Sequence, residues 1–344
     1  MEENQPLLIL TGPTAVGKTA LSIRLAKAVD GEIVSADSMQ VYRGMDIGSA
    51  KIRPEETEGI PHHLIDVLDP EEEFHVVRFQ QMAEEAIQEI HAKGKIPILT
   101  GGTGFYIQSV LYGIDFTEQE EDPEFRKRME KFAEEKGAEA LHEKLRDVDP
   151  ASAEKIHPNN IRRTIRALEF YEKTGVPISE HNRKEAQKES PYSFCYFVLT
   201  DDRQKIYGQI ERRVDRMIED GLIDEVKRLR EQGCTKEMVS MQGLGYRQIL
   251  SWLDGEISYE EAVRLIKRDT RRFAKRQLTW FRRERDVIWV DRRDFEYDDE
   301  QMIRFMLEKF AERTGLRFQP GSRAGSGKSG NTETQDKGDR NTHE

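Results

Sequence analysis

The feature that most constrains this chain is GPTAVGKT at residues 12–19, which satisfies the pattern G-x-x-x-x-G-K-T. It follows a short apolar run at 7–11 and precedes a segment in which Leu21, Leu25 and Ala28 recur at helical spacing. Strand, glycine loop and helix form the opening unit of a parallel α/β domain. The chemistry of such a loop is anion binding. Gly12 and Gly17 let backbone N–H groups turn inward, Lys18 adds a mobile positive charge, and the following helix adds its positive end. Gly12, Pro13, Thr14, Ala15, Val16, Gly17, Lys18 and Thr19 are therefore expected to cradle phosphate oxygens, with the Thr19 hydroxyl on the side of a Mg²⁺ ion. The loop does not select the phosphate compound, and ATP or GTP is the default.

Later segments extend the same plan. Residues 32–36 read as a strand ending at Asp37, and 41–61 as a glycine-containing loop. A helix at 76–93 puts Phe79, Met82, Ala83, Ala86, Ile87 and Ile90 on one side. The strand at 95–100 runs straight into TGGTGFY at 100–106. Asp37 and Thr103 thus lie beyond the C-terminal ends of strands, the edge at which open parallel sheets bind ligands. A carboxylate at Asp37 can hold a metal, accept a proton or cap a turn. Gln40 has the side chain of a base reader, and Thr103 offers a hydroxyl, although its loop can equally be a tight turn.

Beyond residue 117 the pattern becomes charged and helical, with segments at 123–146 and 151–172, before a buried strand resumes at 194–199. A long helix is expected at 205–232, bent at Gly221. Another at 259–282 has an apolar stripe of Val263, Ile266, Phe273 and Trp280, interrupted by Thr270 and Gln277. A short strand at 287–290 and a helix at 301–313 follow. The reading is a P-loop NTPase-like parallel sheet flanked by helices, with a mostly helical inserted domain. Its parts are a core at 1–117, the insertion at 118–190, the rest of the core at 191–318, and a disordered tail at 319–344. The tail's GSGKSG at 325–330 lacks both a preceding strand and the first glycine of a phosphate loop, so it carries no such function.

A net charge of −11 over 344 residues argues at face value against a polyanionic partner. The charge is segregated, however, and phosphates respond to local patches. Residues 264–285 hold ten Lys or Arg and two acids, whereas 118–149 hold twelve acids and seven bases. Arg264, Arg268, Arg271, Arg272, Lys275 and Arg276 recur at three- and four-residue intervals with few acids to pair them. Arg162, Arg163 and Arg166 form a second patch, and two separate patches suit a large polyanion. No apolar run reaches the roughly 18 residues of a membrane span. The acidic opening lacks the features of a signal peptide, and Cys195 and Cys234 form no framework or metal motif. A cytoplasmic protein with no membrane association is expected.

Several segments together resemble one family, the tRNA dimethylallyltransferases or tRNA isopentenyladenosine synthases (IPP transferases). The likeness runs from residue 8 to about 293. It rests on GPTAVGKT, DSMQVYRGMDIGSAK, PHHLIDV, GGTGFY, IRRTIRALE, RRVDRMIEDGLIDEV, GLGYRQ and TRRFAKRQLTW. The resemblance implies that the phosphate ligand is dimethylallyl diphosphate, held by residues 12–19, by Arg213 and by Mg²⁺ at Thr19. It makes Asp37 the acceptor of a proton from the N6 amine of adenosine, and sets Thr103 against the flipped nucleotide or the reacting groups. Asp37, Ser38, Met39 and Gln40 would meet the substrate base and its neighbours, and Arg126 would make a further tRNA contact. Arg162, Arg163, Thr164, Ile165 and Arg166 would touch the anticodon stem-loop, and Arg271, Arg272, Lys275 and Arg276 would also bind tRNA. The implied product is N6-dimethylallyladenosine beside the anticodon, made by a monomer with no obligatory protein partner. Three other readings compete: prenylation of free AMP or ADP, an ATP-dependent kinase, and a nucleotide-sensing RNA-binding protein.

Overall fold

Apolar runs without helical period, such as Leu7 to Leu10, become fully buried strands in the computed structural model, which describes residues 5–116 and 122–318. The expected tail at 319–344 and the expected boundary at 117/118 lie outside the described residues. The strands are β1 (Gln5–Thr11), β2 (Gly31–Ala36), β3 (His62–His63), β4 (Ile96–Gly101), β5 (Tyr192–Thr200) and β6 (Val287–Asp291). They form one parallel sheet in the order β3-β2-β4-β1-β5-β6. Parallel pairing demands crossovers, and helices cover both faces. Because side chains alternate along a strand, Leu7 and Ile9 join the core on one face with Phe79, Tyr106 and Tyr246. Leu8 and Leu10 join the other, with Leu21, Leu25, Met306 and Phe310.

Helices α1 (Lys18–Val29), α2 (Val76–Ala92) and α3 (Gly104–Leu111) follow the first strands. Between α3 and β5 lie α4 (Pro123–Lys136), α5 (Ala138–Val148), α6 (Pro150–Lys155), α7 (Ile161–Thr174) and α8 (Ile178–Glu185). These helices share an apolar cluster of their own, with Phe125, Leu141, Leu145, Ile165 and Leu168. The two long helical segments expected here are broken where local chemistry dictates. Gly137, at φ 90°, divides the first, while Asp149 and Asn160 each cap a new start in the second.

The long helix expected at 205–232 is two helices, α9 (Arg203–Glu219) and α10 (Leu222–Glu231). Gly221, at φ 102°, breaks the chain between them instead of bending one helix. Then come α11 (Tyr246–Leu253), α12 (Tyr259–Phe281) and α13 (Asp299–Thr314). The stripe expected on α12 is displaced. Its buried face is Ala262, Ile266, Thr270, Ala274, Gln277 and Phe281, so the two supposed interruptions belong to it. Thr270 satisfies its hydroxyl within the helix, on the Ile266 carbonyl at 2.8 Å. Gln277 has a different use, described below. No helix among the described residues is long and apolar enough to cross a membrane.

Candidate active site

The C-terminal ends of β1, β2 and β4 meet at one edge, where Thr11 Oγ1 donates to the Gly101 carbonyl at 2.7 Å. The phosphate loop leaves β1 so close to β5 that a Cβ at Gly12 would lie 2.3 Å from the Leu199 carbonyl oxygen. Only glycine fits there. Ala15 stands at φ 65°, a conformation that costs a non-glycine residue energy and is common where loops are shaped for ligands. Lys18 folds back over the loop, donating to the Gly12 and Pro13 carbonyls at 3.0 and 2.9 Å. Arg213 of α9 reaches across and donates to Thr14 Oγ1 at 3.2 Å.

These two cations are held at a cost. Burial, then repulsion from Arg213, pushes Lys18 down to about 7, with the Asp37 carboxylate opposing. Burial and Arg216 likewise push Arg213 below the usual arginine range, again opposed by Asp37, though it stays charged. Two half-buried cations sharing one nearby carboxylate form a site that a bound anion would relieve. From outside, Arg292 donates to the Val16 carbonyl at 3.3 Å and is itself anchored on Asp299 at 2.9 Å.

Asp37 stands just past β2. Its Oδ1 accepts from the backbone N–H of Met39 at 2.8 Å and of Gln40 at 3.3 Å. Capping therefore uses one carboxylate oxygen, while Oδ2 makes no hydrogen bond among the described residues. Gln40, expected to read a base edge, donates to the Ala50 carbonyl at 3.3 Å within its own loop. That loop is held from α10 by Glu225, which is buried. Glu225 accepts from the N–H groups of Asp46, Ile47 and Gly48 at 2.9, 2.8 and 3.1 Å, and from the Tyr246 hydroxyl at 2.7 Å. Neither Glu225 nor Tyr246 was singled out as a site residue from sequence, although both lie in the segments that carry the resemblance.

The TGGTGFY loop owes its glycines to α12. A Cβ on Gly102 would meet Gln277 Nε2 at 2.1 Å, and one on Gly104 would meet the Trp280 ring at 2.2 Å. Gln277 Nε2 donates to the Gly102 carbonyl at 2.9 Å, and its Oε1 accepts from the Thr14 N–H, also at 2.9 Å. One buried amide thus ties the phosphate loop to the Thr103 loop. Sequence reading passed over it as a break in a stripe; its only signal was a polar residue recurring in phase with apolar ones.

Thr14, Asp37, Ser38, Met39, Thr103 and Arg213 all line one cavity of about 390 Å³. Phe74, Tyr106, Met217, Ile266 and Phe273 supply apolar walls, and Arg247 and Arg276 are among its basic residues. A charged end and a hydrocarbon body suit a ligand that is itself phosphate at one end and apolar at the other.

The model of the IPP transferase family matches residues 40–284. The chain belongs to the IPP transferase family. It is 58% identical over 308 residues to a tRNA dimethylallyltransferase of Lachnoclostridium phytofermentans, covering 89% of this chain and 98% of that one. Among solved structures, a tRNA isopentenylpyrophosphate transferase of Bacillus halodurans is 44% identical with a TM-score of 0.69, covering 91% of this chain and 99% of that one. A eukaryotic dimethylallyltransferase acting on tRNA is 30% identical with a TM-score of 0.78, over 92% and 81% of the two chains. The parallel sheet flanked by helices is the fold of these enzymes.

Other residues expected at the site of an IPP transferase are placed unequally. Thr19 is exposed at the start of α1. Among the described residues no cluster of three His, Cys, Asp or Glu forms a metal cage. The Thr19 hydroxyl beside the phosphate loop is the kind of single protein oxygen that Mg²⁺ takes, completing its shell from phosphates and water. Arg126 is engaged by the buried Glu169 through three contacts of 2.8–3.1 Å, and Arg166 adds a fourth at 3.2 Å. Arg162 and Arg163 are exposed, whereas Thr164 and Ile165 are buried inward from α7. The shortage of acids expected around α12 is corrected too. Arg264 pairs with Glu261, Arg268 and Arg272 with Asp269, and Arg271 with Glu211. Lys275 and Arg276 are exposed and meet no carboxylate among the described residues.

Proposed function

We infer that this IPP transferase moves a dimethylallyl group from dimethylallyl diphosphate to the N6 amine of the adenosine beside the anticodon of tRNA, releasing diphosphate. The observation that carries the reading is the cavity in which Arg213 is grouped with Thr14, Asp37 and Thr103 between apolar walls, beside a phosphate loop whose Lys18 feels the charges of both Arg213 and Asp37. The donor's diphosphate lies in the loop at 12–19 and its five-carbon chain against the aromatic wall. The N6–C1 bond forms as the C1–O bond breaks, and the electron pair leaves with diphosphate. Lys18 and Arg213 stabilise that developing charge. Mg²⁺ held with Thr19 would add neutralisation of the diphosphate oxygens. Asp37 Oδ2 receives the proton lost from N6. The acceptor base reaches the cavity by leaving its stack, which costs least in a loop. Thr103 borders the flipped base, Arg162, Arg163 and Arg166 of the helical insertion grip the stem-loop, and Lys275 and Arg276 hold its backbone. The enzyme acts as a cytoplasmic monomer.

Single-turnover transfer of labelled dimethylallyl diphosphate with Mg²⁺, to unmodified tRNA and separately to AMP, tests the reading. Label in tRNA adenosine alone is expected. Label in AMP would move the acceptor to free nucleotides, and no label in either would overturn prenyl transfer.

A further inference from the structure

A second cavity lies outside the reacting cleft. It measures about 750 Å³ and opens between α3, the residues just after α12, and helices α7 and α8 of the insertion. Phe105, Phe170, Arg163, Arg166, Arg283 and Glu284 are among its walls. Phe105 sits two residues after Thr103, and its ring packs edge-on to Trp280 at 6.0 Å. It is 39% exposed, among the few large apolar side chains that remain so, and it joins none of the buried cores. An exposed aromatic face beside a reacting cleft is the usual platform for an unstacked base.

The polar groups fit the same occupant. Arg163 and Arg283 are exposed and form no ion pair among the described residues, so they are available to phosphates. Glu284 also forms no ion pair there. Burial pushes its carboxyl up to about 7 against the opposing pull of the Trp280 N–H and the nearby Arg285 charge, so near neutrality it can donate as well as accept a hydrogen bond. Such a group suits a base edge, which presents donors and acceptors side by side. A small acidic metabolite would leave the aromatic wall unused, and an apolar peptide would leave the arginines unpaired.

We propose that this second cavity receives a nucleobase of the same RNA, one neighbouring the acceptor adenosine, stacked on Phe105 and read at its edge by Glu284. The proposal rests on the tRNA-modifying reading above. It assigns specificity for the acceptor's neighbour to α3 and the end of α12, separately from the residues that perform the transfer.

The test uses the full enzyme, dimethylallyl diphosphate and an unmodified anticodon stem-loop RNA, with abasic substitutions placed singly on either side of the acceptor. Phe105→Ala and Glu284→Gln should each raise KM for the RNA by about tenfold, leaving KM for the donor within twofold; Phe105→Tyr should restore it. One abasic RNA should lose a similar factor with the unaltered enzyme and little more with Phe105→Ala, since the two changes remove one contact. Unchanged RNA KM in both variants would overturn the proposal. So would equal abasic losses with and without Phe105. Absence of transfer to the intact stem-loop would instead refute the underlying reaction, so the two failures are distinct.

Discussion

Gln277 offers the sharpest test of how the site is held. Its amide makes two hydrogen bonds of 2.9 Å, to the Thr14 N–H and the Gly102 carbonyl, and these groups belong to the donor loop and the Thr103 loop. Gln277→Ala removes both bonds. At about 1 kcal/mol each, the loss of stability is about 2 kcal/mol, worth several degrees in Tm. The catalytic loss should be larger, because a misplacement of about 1 Å between reacting groups can cost about 100-fold. Gln277→Glu is more selective. It keeps the acceptor for Thr14 but sets a carboxylate oxygen against the Gly102 carbonyl, so it should displace the Thr103 loop. The assay is single-turnover dimethylallyl transfer at saturating donor and tRNA, beside equilibrium binding of each and thermal unfolding. Transfer should fall by at least tenfold in both variants, with binding of each substrate within about threefold. Gly102→Ala, whose Cβ would intrude on Nε2 at 2.1 Å, should produce the same defect. Combined with Gln277→Ala it should add little. If Tm drops as calculated while transfer stays within twofold, Gln277 merely braces the fold and the reasoning fails.

Three further outcomes follow from other parts of the molecule. Asp37→Asn should slow single-turnover transfer by roughly 100-fold or more with tRNA affinity within several-fold, and an unchanged rate would remove Asp37 as proton acceptor. Replacing Lys275 and Arg276 together with serine should flatten the dependence of log K on log salt for tRNA by about 1.4, for two phosphate contacts on single-stranded RNA. Replacing the paired Arg271 and Arg272 should flatten it less, and an equal effect would show that pairing in the unbound protein is irrelevant. Glu32, buried at the start of β2, is bonded by His63 and Lys93 at 2.9 Å and by Lys95 at 3.3 Å. Burial pushes its carboxyl up, but these donors outweigh burial and hold it down at about 2. Its folded pKa lies below the unfolded one, so its contribution, up to about 3 kcal/mol, is complete above about pH 5 and fades towards pH 2. Glu32→Gln should flatten the acid limb of stability between pH 5 and 3 in denaturant titrations; parallel curves would contradict this.

What could be read from sequence was whatever is decided within a few residues. The phosphate loop, the strand ending at Asp37 and the glycine turn after β4 each carry their signal locally, as a period that changes or a residue that permits a turn. Interactions across the chain left no such mark. Spacing on α12 alone could not show that Arg271 finds Glu211 and Lys267 finds Asp215, both on α9. Glu225 looks like one more surface acid until the three N–H groups it satisfies are seen. Arg213 was singled out by resemblance, since nothing in its own surroundings announces a partner 199 residues earlier.

The run at 270–280 explains why α12 resists a single reading. Successive residues on a helix point about 100° apart, so neighbours in sequence serve different surroundings. Phe273 walls the reacting cavity, Ala274 packs with Ile206 and Ile210, and Lys275 and Arg276 are exposed cations. Gln277 then turns inward to both loops. A grip on RNA phosphates and the spacing between donor and acceptor loops are thus set by one rigid turn, and a helix places such groups more reproducibly than a loop would. The division predicts separable effects. A change at 275 should act on affinity and its salt dependence, whereas a change at 277 should act on the rate of transfer after both substrates are bound; Arg276, which also borders the reacting cavity, should touch both. Had the stripe been apolar throughout, α12 could still pack on the sheet, but nothing in it would fix the phosphate loop against the loop that carries Thr103.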